Sequence, residues 1–320
     1  MLSTKICEGV SDISDSYMGF LIDPSVLHDG TQLHEGVLSV FHEMEERKKF
    51  VILLSNSDQR ANTLKENLKK IGLGPSLYQK CITAGEFFHE GMKDRTDTLF
   101  YDVGRKFFLF GLNEKHPALE DLDIECVDTV KDAEAILIHG MGKLAKPIHE
   151  LDADLREIAR RRMKIFCFYP DSRGLIFSNY IMGMGLVVRR LQEMGAVVNF
   201  IGKPYKPVFN YCTKLLQEQG IFPAQSVIIG DTMAHDILGG MLAGMDSCLI
   251  RTGLHAGAFR QVKSLKDLEK AISTLVAQYN NARPTYLADR FKWGKALPDR
   301  KHRKRKAGAR ERKVRLSPRI

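Results

Sequence analysis

Seven side chains, far apart along the chain, could share one reaction: Asp23, Ser25, Ser55, Asn56, Lys203, Asp231 and Asp236. All stand at or just past apolar runs. Asp23 ends "GFLID", Ser55 and Asn56 end "VILLSN", Lys203 follows "VVNFIG", and Asp231 closes "SVIIGD" with Asp236 just beyond. In an open parallel sheet, ligands bind beyond the carboxyl ends of the strands, so such ends would meet at one edge. Phosphoryl transfer needs a nucleophile, a cation to neutralise phosphate oxygens, and donors for the rest of the anion. An acidic pair or trio, a hydroxyl, an amide and a lysine supply each part. Taken singly, each residue has a plainer reading. Asp23 before Pro24 can form a turn, Ser55-Asn56-Ser57 and Asp231-Thr232 can cap helices, and Lys203 can be a solvated lysine. Their joint placement favours an anion and metal site.

Positioning these residues takes alternating strands and helices. "MGFLID" and "FVILLS" read as buried strands, each followed by an amphipathic helix, with Val37, Val40, Phe41 and Met44 on one and Ala61, Leu64, Leu68 and Ile71 on the next. The rhythm resumes with "AVVNFIG", a helix bearing Val208, Tyr211, Cys212 and Leu215, then "SVIIGD" and "SCLIRTG". Continuous apolar strands separated by such helices imply a parallel sheet covered on both faces. Residues 264–280 predict a last helix, N-capped by Ser264, with Leu265, Leu268, Ile272 and Leu275 inward. The expected fold class is α/β: a Rossmann-like parallel sheet core at 1–83 and 191–280, an inserted α/β cap domain at 84–190, a linker at 281–298 and a basic disordered C-terminal tail at 299–320. Within the insert, "RKFFLFG" reads as cap core, not as a base-stacking platform.

Four segments, in this order and spacing, resemble the haloacid dehalogenase (HAD) superfamily, of the class IIA kind with a large cap between motifs II and III. They are "FLIDPSVLHDG", "VILLSNS", "GKP" at 202–204 and "IIGDTMAHDILGGMLAGM", with "TAGE" at the cap entrance and "YPD" near the return. The resemblance covers about residues 15–260 and is nearest to a subgroup with "LHDG" and "SNS" motifs. It implies Asp23 as a nucleophile that forms an aspartyl-phosphate. It further implies Mg²⁺ held by Asp23, the Ser25 carbonyl, Asp231 and Asp236 (directly or through water), phosphoryl oxygens bound by Ser55 and Asn56, and Lys203 offsetting anionic repulsion. In the cap, Asp171 of "YPD" would touch substrate, or simply belong to a type I turn through Pro170. His28 and Asp29 would shape the turn ending at Gly30, and His255 would line the site mouth or, preferably, lie on a surface loop.

One position departs from the hydrolase pattern. Family phosphatases carry a second aspartate two residues after the nucleophile, to protonate the leaving group and then activate water; this chain has Ser25. A serine hydroxyl is a poor acid or base, and positioned acid–base catalysis contributes about 10²–10⁴-fold. The expected function is an Mg²⁺-dependent phosphohydrolase or phosphotransfer enzyme of reduced turnover, acting on a small phosphorylated metabolite. The alternative is a catalytically weak protein that binds RNA or a ribonucleoprotein through its tail.

The net charge of +9 belongs to that tail. Residues 300–320 hold eleven Lys and Arg against Glu311 alone, or +10, leaving −1 for residues 1–299. A nucleic acid or an import receptor bound through 300–316 is expected, or no partner at all. The six cysteines show neither paired nor metal-ligand spacing, pointing to free thiols and a reducing compartment. No secretory signal and no membrane span are expected, so the location would be cytoplasmic or nuclear, with the cap available for oligomerisation.

Overall fold

The computed structural model describes residues 4–110, 116–139, 148–168, 173–176, 179–182 and 184–294. Seven parallel strands form the larger sheet, in the order Lys5–Cys7, Tyr286–Ala288, Asp246–Ile250, Ser226–Gly230, Gly19–Ile22, Phe50–Ser55, Lys80–Thr83. Alternate residues face opposite sides. Phe20, Ile22, Val51, Leu53, Val227 and Ile229 join Val40, Phe41 and Met44 of helix Val37–Glu46 in one core cluster. Leu21, Ile52, Leu54 and Ile228 join Phe88 of helix Ala84–Asp94 and Cys212 of helix Lys206–Gln217 in another. Both faces are buried, as the unbroken apolar runs require. Each fully buried Leu or Ile contributes about 1.5–3 kcal/mol to holding the layers together.

From Gly19–Ile22 the chain winds outward through Phe50–Ser55 to Lys80–Thr83, and the returning chain builds the other half from Ser226–Gly230. The direction in which the chain adds strands reverses between those two central, parallel strands. Such a switch point opens a crevice at the carboxyl ends. Asp23 and Asp231 stand there.

The inserted lobe has its own five-stranded parallel sheet, ordered Val198–Phe200, Lys164–Cys167, Ala135–Ile138, Lys106–Phe110, Glu125–Val127, and an antiparallel ribbon of Arg173–Ile176 with Asn179–Met182. Helix Asp152–Arg161 covers it through Leu155 and Ile158. Phe107 and Phe166 are buried with Phe88, as expected for cap core.

Three expectations meet a different arrangement. "AVVNFIG" is a strand but pairs with Lys164–Cys167 in the smaller sheet, so the insert extends past 190 to Phe200. Residues 281–298 hold not only a linker but the core strand Tyr286–Ala288, followed by buried Phe291 and Trp293. Both it and Lys5–Cys7 are three residues long, too short for a period to register. Helix Leu265–Gln278 does start at Ser264, whose hydroxyl accepts from the Asp267 amide at 3.1 Å, but Leu265 is 75 % exposed. It lies in the first turn, beyond the reach of the core.

All six cysteines are free, and only Cys126 is exposed. Among the described residues no helix is long and apolar enough to cross a membrane. The 299–320 tail lies outside the described residues.

Candidate active site

Asp23 leaves strand Gly19–Ile22 in an extended conformation and caps the 3₁₀ turn Pro24–Val26, its Oδ1 accepting from the Ser25 amide at 2.9 Å. Pro24 at the first position of the turn presets φ and has no amide proton to satisfy. The other oxygen, Oδ2, accepts from Lys203 Nζ at 2.6 Å, and the same ammonium donates to Asp236 Oδ1 at 2.6 Å. Lys203 is 2 % exposed and Asp236 fully buried. Breaking such a buried pair strands a charge, at about 3–5 kcal/mol.

Their protonation follows from this geometry. Burial pushes the Asp23 carboxyl up, but Lys203 and the Ser25 amide more than offset it and hold it below the usual carboxylate range. At Asp236 burial prevails and raises the carboxyl, with Lys203 opposing and the Asp23 charge adding. Burial would depress the Lys203 ammonium, yet its two carboxylates raise it above its ordinary value.

Lys203 is itself held from behind. Asn56 Oδ1 accepts from the Lys203 amide at 2.7 Å, and Asn56 Nδ2 donates to the Lys203 carbonyl at 3.0 Å. Gly202 makes this approach feasible. Its φ is +116°, and a Cβ there would lie 2.8 Å from Asn56 Oδ1. Asn56, expected to bind phosphoryl oxygens, thus commits its carbonyl and one N–H to positioning the lysine. Ser55 ends its strand beside them, its Oγ accepting from the Ser57 amide at 3.1 Å.

Asp231 accepts from Ser25 Oγ at 3.0 Å through Oδ1 and from the Leu254 amide at 2.7 Å through Oδ2. Thr232 secures Asp236, its amide and hydroxyl donating to Oδ2 at 3.0 and 2.6 Å. The threonine hydroxyl in turn accepts from the Asp236 amide at 3.3 Å, at the start of the π-helical turn Met233–Ile237. Thr232 is thus the helix cap that the Asp231-Thr232 pair offered in the sequence, and its hold on the Asp236 carboxylate is the part not foreseen. His255 is half-buried and not a plain surface residue: its Nε2 accepts from the Met233 amide at 3.1 Å and its ring meets Tyr279 edge to face. His28 and Asp29 do shape the turn, accepting from the Gly30 and Thr31 amides.

Carboxylate oxygens of Asp23, Asp231 and Asp236 lie within 4.8 Å of one another. Three carboxylates against one ammonium leave excess negative charge, and every donor is a hard oxygen. A divalent cation of the Mg²⁺ type fits that set. Asp236 has both oxygens engaged by Lys203 and Thr232, which suits contact through water. The structure thus gathers Asp23, Ser25, Asn56, Lys203, Asp231 and Asp236; Asp171 lies outside the described residues.

Residues 200–292 match the HAD-hydrolase-like family model. Over 85 residues the chain is 33 % identical to the 5'-nucleotidase YutF of Bacillus subtilis (strain 168), a match spanning 27 % of this chain and 30 % of that relative. The fold is similar to that of a possible sugar phosphatase of the HAD superfamily from Cytophaga hutchinsonii, with TM-score 0.65 at 18 % identity, covering 91 % of this chain and 99 % of the other. It is similar too to a 4-nitrophenylphosphatase from Thermotoga maritima, with TM-score 0.62 at 20 % identity over 89 % and 98 % of the two chains. Residues 200–292 thus match a HAD-hydrolase-like model, and the two-lobed fold as a whole is similar to that of a HAD-superfamily structure.

Proposed function

We propose that the protein is an Mg²⁺-dependent phosphohydrolase or phosphotransfer enzyme for small phosphate monoesters, with Asp23 as nucleophile. The observation that carries this is Lys203 Nζ, 2.6 Å from both Asp23 and Asp236 at the switch point of the sheet. A buried ammonium holds Asp23 ionised and lowers the repulsion that a phosphate dianion meets on approach. The proteins named above, a 5'-nucleotidase, a possible sugar phosphatase and a 4-nitrophenylphosphatase, support the substrate class.

An Asp23 oxygen attacks phosphorus, the ester P–O bond breaks, and its electron pair leaves on the alkoxide, which takes a proton from solvent. Water, or another hydroxyl in the transfer case, then attacks the aspartyl-phosphate and releases Asp23. Ser55, the remaining Asn56 N–H and Lys203 bind phosphoryl oxygens. Asp23, Asp231 and the Ser25 carbonyl would hold the metal, with Asp236 behind; when bound, it supplies charge neutralisation for the phosphoryl group. Ser25 supplies no acid, so leaving groups that need protonation depart slowly, by about 10²–10⁴-fold. Steady-state assay with Mg²⁺ against aryl and alkyl phosphates tests this. Turnover of the aryl esters above the alkyl ones is expected, and silence across the panel by folded protein overturns the reading.

A further inference from the structure

Two helices carry matching stripes that the phosphoryl site does not use. Phe87, Glu90, Gly91 and Asp94 recur at i, i+3, i+4 and i+7 on helix Ala84–Asp94. Pro207, Asn210, Tyr211 and Lys214 recur at the same spacing on helix Lys206–Gln217. Residues so spaced share one helix face. The two faces meet through Phe87 and Tyr211, whose ring centroids are 5.5 Å apart. Between these faces and the edge of the cap opens a cleft of about 830 Å³. Small-molecule sites measure roughly 300–1,000 Å³. The cleft is open as it stands and needs no movement of the lobes, since Asp94, Asp97, Lys206, Asn210 and Lys214 on its lining are exposed.

The floor is apolar and fixed. Phe87 and Phe100 are buried there, and Gly91 lets the Phe100 ring lie against its helix, because a Cβ at that position would run into the ring. Lys164, at the start of its cap strand, donates to the Thr98 and Leu99 carbonyls at 3.1 and 3.2 Å and so holds the segment that carries Phe100. The walls are charged and opposed. Glu90, Asp94 and Asp97 line the side of the first helix and the turn after it, and Lys206 and Lys214 line the side of the second. With Lys164 the lining holds three carboxylates and three ammonium groups, neutral as a whole but dipolar across. Among the described residues, none of Glu90, Asp94, Lys206 and Lys214 has an ion-pair partner. Opposite charges that line one cleft without closing on each other leave both ends of a dipole for a ligand. Burial raises the Tyr211 phenol, and the Glu90 and Asp94 charges add to it, so the acidic wall stands beside that ring.

We infer that this cleft binds the zwitterion of an aromatic α-amino acid, its ammonium on Glu90 and Asp94, its carboxylate on Lys206 and Lys214, and its ring against Phe87 and Tyr211. The balance of charge decides the class. A phosphorylated or other anionic ligand would meet three carboxylates, and an organic cation would meet the lysines. A dipolar ligand satisfies both walls, and its ring gains an offset or edge-to-face contact with the aromatic floor. The cleft is separate from the phosphoryl site. Ala84, at the head of its helix, lies beside Gly202. Glu90 and Asp94 follow it by six and ten residues, about 9 and 15 Å down the axis. The inference therefore does not depend on the phosphatase reading.

Isothermal titration calorimetry on the full chain tests this with L-tryptophan, against tryptamine, which lacks the carboxylate, and indole-3-propionate, which lacks the ammonium. Tryptophan should bind about 10-fold more tightly than either, the value of one charge-assisted hydrogen bond. Glu90→Gln should weaken tryptophan by about 10-fold without weakening indole-3-propionate. Lys214→Met should weaken tryptophan by a similar factor without weakening tryptamine. Both replace side chains that have no ion-pair partner, so Tm should hold. Asp23→Asn and saturating inorganic phosphate should leave tryptophan binding unchanged. No binding up to the solubility limit of tryptophan overturns the inference, as does an affinity that neither wall variant lowers. Tryptamine or indole-3-propionate binding as tightly as tryptophan also overturns it, and would make the cleft a cation or an anion site. Loss of binding in Asp23→Asn, or competition by phosphate, overturns it too, by placing the amino acid in the phosphoryl site.

Discussion

Ser25 donates its hydroxyl to Asp231 at 3.0 Å, which ties the residue two places after the proposed nucleophile, Asp23, to the neighbouring strand's carboxylate. A side chain so engaged orders the turn but delivers no proton to a departing alkoxide. Ser25→Asp should raise kcat on alkyl phosphates by about 10²–10⁴-fold and change aryl esters much less. Its pH–rate profile should gain a limb for the new acid. Equal gains on both ester types would count against the missing-acid account.

Lys203→Met removes the ammonium that bridges Asp23 and Asp236 and leaves two buried carboxylates facing each other. Thermal or urea unfolding should show a loss of about 3–5 kcal/mol. Because Asp236 is already raised by burial, the variant should bind a proton at that pair, and its stability should improve toward acid pH more steeply than the wild type's. A flat response would mean that the charges are better solvated than their burial suggests.

Asn56→Ala tests the clamp behind the lysine. It frees the Lys203 amide and carbonyl, each worth about 1–3 kcal/mol when buried without a partner. Stability should fall by that order, and activity should fall further than for Ser55→Ala if lysine placement matters more than an extra phosphate donor. Gly202→Ala, with φ at +116° and a Cβ 2.8 Å from Asn56 Oδ1, should reproduce the loss without removing a polar group.

His139, fully buried, also makes a pH prediction. A histidine depressed from 6.5 to about 4 leaves the unfolded chain binding more protons between those values. Stability is therefore complete above pH 6.5 and declines as pH falls toward 4, by about 3 kcal/mol for this one group. Denaturant titrations at a series of pH values should show this slope, and His139→Phe should flatten it.

Deletion of residues 299–320 addresses the alternative reading. If the tail binds RNA, deletion should abolish an affinity that falls steeply with salt, while Tm and phosphatase activity stay unchanged. Affinity that survives the deletion refutes that role.

The candidate residues Asp23, Asp231 and Asp236 were legible because a parallel sheet gathers strand ends at one edge and the apolar runs before them mark strands plainly; Lys203 reaches the same edge from a strand of the other sheet. What a run cannot say is which sheet it joins. "AVVNFIG" has the same apolar signature in either lobe, and only pairing with Lys164–Cys167 assigns it to the cap. Asn56 was legible as a polar group at the right edge, but not as a backbone clamp, since its partners are main-chain atoms 147 residues away. The Asp58–His116 contact is hidden in the same way: it joins two lobes across 58 residues.

The last cap strand, Val198–Phe200, runs into Lys203 after only Ile201 and Gly202. The lobe that would choose the substrate and the lysine that pairs with Asp23 are therefore one continuous piece of backbone. A cap cannot be exchanged as a free cassette: any graft that cuts after Phe200 severs the anchor of the lysine, and one that cuts before Val198 must rebuild the edge strand of its new sheet.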